Sequence, residues 1–292
     1  MVSTMTQDTA PLSDHKGSQR DDLSAAEAMA ALDWFTAVGV DLLVHNDPVP
    51  WSEHKITINA PSPAKPAAAQ AQSPAAMPTA SDAPLGTAEA VVAAEALAAK
   101  ANTLEELRTA LAGFDGLSIV KTAQNLVFAD GVAGSDLMII GEAPGREEDE
   151  KGLPFVGQSG QLLDRILAAI GRNRENTYIS NIVNWRPPGN RKPTPGEIDI
   201  CRPFIMKHIA LAQPKAIVLM GDTAGKAMLP VTTGITKYRG QWHDISPGEG
   251  FTPIPMVASF HPAFLLRSPA RKREVWLDFL AVKTRLSSPK AN

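Results

Sequence analysis

Cysteine is nearly absent: Cys201 stands alone in 292 residues. That scarcity is read as excluding both a disulfide framework and any cysteine-based zinc or iron–sulfur site within one chain. Zinc-dependent nucleobase deaminases are excluded on the same count, because they need a cysteine pair beside a histidine. No stretch approaches the roughly 18–20 consecutive apolar residues of a membrane span. The first 20 residues are polar and mixed in charge, with no apolar core, so no signal peptide is expected. A cytoplasmic protein without a membrane partner follows from these absences.

Charge is present but unevenly placed. The formal net charge is -3. Residues 1–112 hold 6 Lys+Arg against 14 Asp+Glu, whereas residues 113–292 hold 22 against 17. The C-terminal part is therefore the piece suited to meet a polyanion.

The texture of the chain changes along its length. Residues 1–58 read as an extension that starts disordered and becomes helical. Between Leu23 and Val44, Ala26, Met29, Ala30, Leu32, Trp34, Phe35, Leu42 and Leu43 recur at amphipathic-helix spacing. Residues 59–87 are rich in Pro, Ala and Ser and have too little bulk to bury, which is the composition of a linker. Residues 88–292 read as the catalytic domain, with a helical lead-in over 88–112 that restarts at Thr103.

Beyond Phe114, apolar runs at 137–140 (LMII), 178–183 (YISNIV), 216–220 (AIVLM) and 256–260 (MVASF) predict four buried strands. They alternate with helical patterns near 159–171, 195–212, 222–229 and 271–285. Strand and helix in alternation predict an α/β fold, three-layer α/β/α, around a central and mostly parallel four-stranded sheet. Such sheets bind ligands beyond the carboxyl ends of their strands. Three of the four strands carry an unusual polar group there.

The first strand runs into Gly141-Glu142-Ala143-Pro144-Gly145, a turn whose N–H groups can face a ligand. The same residues also suit a plain strand-to-helix turn. No Gly-Lys-Ser/Thr follows, which disfavours nucleoside triphosphates. Phe155, between Gly152 and Gly157, is either core or a ring offered to a planar ligand. Asn181 interrupts an apolar strand; its amide has one donor and one acceptor to match the edge of uracil, or it is bonded to backbone. Arg186, Asn190 and Arg191 belong to a proline-stiffened basic loop suited to phosphates. His261 follows the last strand. Leu265, Leu266 and Arg267 come next, then Lys272, an apolar and basic series able to wedge into a duplex and hold phosphates.

Taken together, LMIIGEAPGREEDEKGLPFVGQSGQLLD, YISNIVNWRPPGNRKPTPGEIDICRPF, PKAIVLMG and SFHPAFLLRSP resemble the family 4 uracil-DNA glycosylases from about Phe114 to Leu280. The resemblance implies hydrolysis of the N-glycosidic bond of uracil in DNA, as a first step of base excision repair. It implies catalytic roles for Glu142 at the water and His261 at uracil O2, with uracil held by Gly141, Ala143, Phe155 and Asn181. It further implies contacts to DNA by Arg186, Asn190, Arg191, Leu265, Leu266, Arg267 and Lys272, and uracil-containing and abasic DNA as partners of a monomer associated with a bacterial nucleoid.

Family members usually carry four cysteines around an iron–sulfur cluster. Here Phe114 and Leu117 stand in the first two positions, and Cys201 in what resembles the third. No cofactor and no metal are therefore expected. Ala143 ahead of Pro144, and GNRKPTPGEI without a histidine, separate the chain from relatives that trap DNA covalently. A low-turnover binder of uracil-containing or abasic DNA on the same scaffold is the alternative reading, and a sugar-phosphate enzyme using GEAPG as a phosphate turn is a more distant one.

Overall fold

The structure is a computed structural model that describes residues 87–287. The extension over 1–58, with the helical pattern expected at 23–44, and the linker as far as residue 86 lie outside the described residues. Thr87, placed at the linker's end by composition, opens a helix instead.

The chain runs α1 (Thr87–Lys100), α2 (Leu104–Ala112), β1 (Asp130–Gly131), β2 (Leu137–Gly141), α3 (Arg146–Lys151), α4 (Gln158–Ala169) and β3 (Tyr178–Asn181). It continues through α5 (Pro195–Ala212), β4 (Ala216–Met220), α6 (Asp222–Met228), α7 (Ile235–Tyr238), β5 (Trp242–Ile245), β6 (Ile254–Ser259), α8 (Pro262–Arg267) and α9 (Lys272–Ser287). The strands form one sheet in the order β1-β3-β2-β4-β6-β5.

The four predicted strands make its parallel centre. The count of four is corrected to six, because β1 and β5 add antiparallel edges. Neither edge shows an apolar run: β1 is two residues long, and none of β5 (WHDI) is fully buried. Central strands covered on both faces need continuous apolar sequence, whereas edge strands do not.

Strand periodicity divides the core into two layers. Met138 and Ile140 face a cluster with Leu107, Leu111, Phe204 and Ile209 from α2 and α5. Leu137 and Ile139 face the other way, against Leu163 and Leu167 of α4 and Phe279 of α9. Caps fix where the helices begin. Thr103 accepts from the Glu106 N–H at 3.1 Å ahead of α2. At α5, Thr194 and Glu197 exchange bonds of 3.2 and 2.7 Å, and Pro195 sits at the first helical position, where its missing N–H costs nothing.

Parallel pairing aligns the carboxyl ends of the central strands. Gly141 lies opposite Asn181, and Met220 opposite Ser259. The Gly221 N–H then donates to the Ser259 carbonyl at 2.8 Å, which ties the end of β4 to the end of β6 two residues before His261.

Candidate active site

Glu142, Phe155, Asn181 and His261, spread over 120 residues of sequence, line one cavity of about 200 Å³ at these carboxyl ends. Ala143, Asn190 and Arg191 line it as well. The cavity exists because β2 ends in glycine. A Cβ on Gly141 would stand 2.3 Å from Asn181 Oδ1 and 2.7 Å from the Phe155 ring, so only a glycine admits both side chains.

Asn181 is 2% exposed. Its amide makes no hydrogen bond to the described residues, yet its polar atoms are not sealed from the cavity. Ser180 and Asn184, its neighbours in sequence, behave differently: each donates to backbone carbonyls of the 127–128 segment at 2.8–2.9 Å. The backbone-bonded role open to Asn181 in sequence thus belongs to Asn184. An unpaired buried amide is costly unless something else satisfies it.

Phe155 sits at φ 54°, a left-handed conformation costly for a bulky side chain. A partly buried arginine and a buried carboxylate hold it there. Arg174 donates to the Phe155 and Pro154 carbonyls and is anchored by Asp130 and Asp164. On the amide side, Glu148 accepts from Val156 N–H at 3.0 Å and Gly157 N–H at 3.1 Å. The other oxygen of Glu148 accepts from Gly145 N–H at 3.1 Å, so one carboxylate joins the turn after β2 to the Phe155 loop. Gly160 completes the clamp, since a Cβ there would fall 1.7 Å from the Phe155 carbonyl oxygen. Glu148 and Arg174 escaped sequence reasoning. Glu148 is one of four acids in REEDEK, and only the phase of a six-residue helix separates it from its neighbours.

His261 caps α8. Its Nδ1 accepts from the Ala263 N–H at 3.1 Å, so the neutral ring carries its proton on Nε2. That N–H has no partner among the described residues and is not sealed off. Burial pushes the imidazole pKa down from 6.5 to about 4, with the charge of Arg267 acting the same way and Glu148 opposing. Neutral imidazole is therefore the state at physiological pH. The ring stacks on Phe155 at 5.5 Å between centroids, inclined 23°. Behind it, a Cβ on Gly221, at φ 102°, would approach the His261 Cβ to 3.1 Å.

The outer wall is basic but largely self-paired. Arg191 forms two bonds, of 2.8 and 2.6 Å, to Glu197. Arg186 donates to Asn190 Oδ1 at 2.6 Å and lies 3.9 Å from Asp149. Two expected DNA contacts are corrected. Leu265 is 1% exposed because it is on the inward face of α8, within the core cluster around Phe260 and Phe279. Lys272 is 8% exposed at the start of α9, where burial and nearby Arg165 lower its pKa. Leu266, 45% exposed, and Arg267 are the members of that series that face outward.

An aromatic ring, an unsatisfied amide, a neutral N–H donor and a carboxylate surround a space suited to a small planar heterocycle. A sequence model of the Uracil DNA glycosylase superfamily matches residues 128–280. Type-4 uracil-DNA glycosylase of Archaeoglobus fulgidus is 36% identical over 163 residues, 54% of this chain and 81% of its own. The enzymes of that name from Pyrobaculum aerophilum and Thermotoga maritima are 33% identical (60% of this chain, 90% of theirs) and 40% identical (49% and 73%).

These relatives overturn one expectation. Type-4 glycosylases are the iron–sulfur family, so membership implies a cluster, and the absence of a cofactor does not stand. Cys201 is fully buried, and burial pushes its thiol pKa up. The Phe114 ring meets Phe204 edge-on at 5.2 Å, and Leu117 is buried in the same cluster. One thiol beside apolar side chains does not fit a four-thiolate set, and no step below passes through a cluster.

Proposed function

This chain belongs to the uracil-DNA glycosylase superfamily, and from that premise we propose how its own residues perform the reaction. It is a monofunctional uracil-DNA glycosylase of base excision repair, acting on uracil in DNA and leaving an abasic site. A base within a duplex is out of reach, so the nucleotide rotates out at a cost of a few kcal/mol, least where pairing is weak. Phe155 stacks on the extruded base, returning about 1–3 kcal/mol. Asn181 Oδ1 accepts from uracil N3–H while its Nδ2 donates to O4. Cytosine presents an amine and a bare ring nitrogen at those places and leaves both amide atoms opposed by like groups. Gly141 supplies the clearance, and Ala143 lines the wall beside it.

As the bond between uracil N1 and the sugar C1′ breaks, its electron pair passes to the base and charge gathers on O2. The His261 Nε2–H donates to that oxygen, and a preorganised donor of this kind is worth about 100- to 1000-fold in rate. Glu142 orients a water toward C1′ and takes its proton; its charge also favours the cationic sugar. Leu266 and Arg267 press on the opened duplex, while Arg186, Asn190 and Arg191 shape the rim toward the backbone. No helix among the described residues is long and apolar enough to cross a membrane. The enzyme works as a monomer on nucleoid DNA in the cytoplasm, with uracil-containing DNA as substrate and abasic DNA as product.

The observation that carries this reading is the buried, unsatisfied amide of Asn181 in a cavity that the Phe155 ring and the His261 donor also line. Single-turnover excision from uracil-containing oligonucleotides tests it. Glu142→Ala and His261→Ala each slow the chemical step at least about 100-fold with the fold intact, and Asn181→Asp weakens discrimination of uracil from cytosine. Near-normal rates in the first two, or unchanged discrimination in the third, would refute the assignment. A single burst followed by stalled turnover in the unaltered protein would favour a low-turnover binder.

A further inference from the structure

A second cavity shares no lining residue with the first. It is an open trough of about 840 Å³ between α1 and α5. Val91 of α1 and Pro203 and Met206 of α5 are its partly buried apolar lining, and Glu95, Asp199 and Arg202 are exposed along it. Helix α1 precedes residue 128, where the family match begins, so this trough is made by a lead-in helix laid on a family helix.

We propose that the trough is the docking site of the chain's own segment 23–44. Position favours it first. Thr87, the first described residue, lines the trough, so the preceding chain enters at its edge. Composition favours it next. The stretch from 59 to 86 offers only Met77 and Leu85 as large apolar side chains, far apart in sequence, whereas Met29, Leu32 and Phe35 follow one another at three-residue spacing, the spacing of one helical face. Charge adds orientation. Between Arg20 and Lys55 there is no Lys or Arg, while Glu27, Asp33 and Asp41 fall within the segment. Arg202 has no ion-pair partner among the described residues and can receive one of these acids. Glu95 and Asp199 repel them, and together these groups set which way the segment lies.

Reach is ample. The 42 residues between Val44 and Thr87 can reach up to about 140 Å when fully extended. Tethering makes docking an intramolecular event, so the groove needs less intrinsic affinity than it would for a free peptide. Docking of this kind covers the apolar face of α1 and holds the acidic extension on the body of the enzyme.

The chain's cysteine scarcity provides the test. Cys201 is 0% exposed, so a cysteine introduced at the surface is the one that reacts. In the full-length protein, Ala88→Cys in the trough is expected to react with a thiol reagent at least about tenfold more slowly than in the same protein carrying L32D and F35D. Leu277→Cys, on the exposed side of α9, is expected to react at equal rates in both backgrounds, and uracil excision checks that both are folded. Equal rates at position 88 would overturn the proposal. Protection that grows with protein concentration would assign the trough to a second copy instead, and a changed rate at position 277 would mean general loosening; either result overturns docking in cis.

Discussion

Removing the Glu148 carboxylate separates scaffold from chemistry in this site. One of its oxygens serves Val156 and Gly157, the other serves Gly145, and all three donors are backbone amides in loops that carry Phe155 and Glu142. Bonds to a charged acceptor are worth about 1.5–3 kcal/mol each, less where water can replace them, so Glu148→Ala should cost on the order of 4 kcal/mol. Glu148→Gln is gentler and more telling. Its amide oxygen can keep the Val156 and Gly157 donors at neutral strength, but its NH₂ then faces the Gly145 N–H, donor against donor. The turn after β2 should come free while the Phe155 loop stays held. A displacement near 1 Å at a reacting group costs about 100-fold, so kcat should fall by that order in the Gln variant with much less change in affinity for uracil-containing DNA. Urea denaturation of both variants, monitored alongside single-turnover excision, gives the two quantities separately. Full excision rates in E148A and E148Q, at temperatures where both are folded, would refute the argument that this carboxylate holds the two loops in register.

Gly141→Ala places a methyl 2.3 Å from Asn181 Oδ1 and 2.7 Å from the Phe155 ring, so one of the two must move. Excision should drop at least about 100-fold, and a rate within a few-fold of the unaltered enzyme would show that the cavity tolerates the methyl. Acid should act through stability before it acts through His261. The folded protein keeps this imidazole neutral down to about pH 4 whereas the unfolded chain takes up the proton near 6.5, so stability falls as pH drops through that window and is fully present above it. His208, held down to about 3 by burial beside Tyr178, adds in the same direction. The excision rate of the folded enzyme should show no inflection near 6.5; one that vanished in His261→Gln would contradict the neutral donor.

What the sequence revealed and what it hid follow from range. Runs such as LMII and AIVLM identify central strands because burial on both faces leaves no room for alternation, and all five residues of β2 and of β4 are buried. The polar groups at the strand ends were legible for the same reason, as interruptions in apolar text. Edge strands were not, since Trp242 to Ile245 is only partly buried and resembles any half-exposed loop. The clamp on Phe155 was hidden for a different reason. Arg174 lies 19 residues from Phe155, in a stretch without pattern, and its role depends on Asp130, Asp164 and two carbonyls that only tertiary structure assembles. Nor does adjacency tell Leu265 from Leu266, because α8 is too short to display a period and Phe264, Leu265 and Leu266 are all apolar.

Basic residues illustrate the point most sharply. A sequence rich in Arg near a site invites the reading that each one meets phosphate. Here Arg174 spends its donors on Phe155, Arg191 is forked onto Glu197, and Arg239 is bound to Asp278 beneath the end of β6, where Ser259 also donates to Asp278 at 2.6 Å. Each of these guanidiniums fixes a loop or strand end that bears a cavity residue, and such pairing rests on planar, forked geometry that lysine lacks. Arg174 and Arg239 are partly buried and Arg191 is exposed, and each is matched at short range by carboxylates. A site that must keep an amide unpaired and an imidazole neutral has to be held by something other than its own contacts, and the arginine–carboxylate pairs around it supply that rigidity.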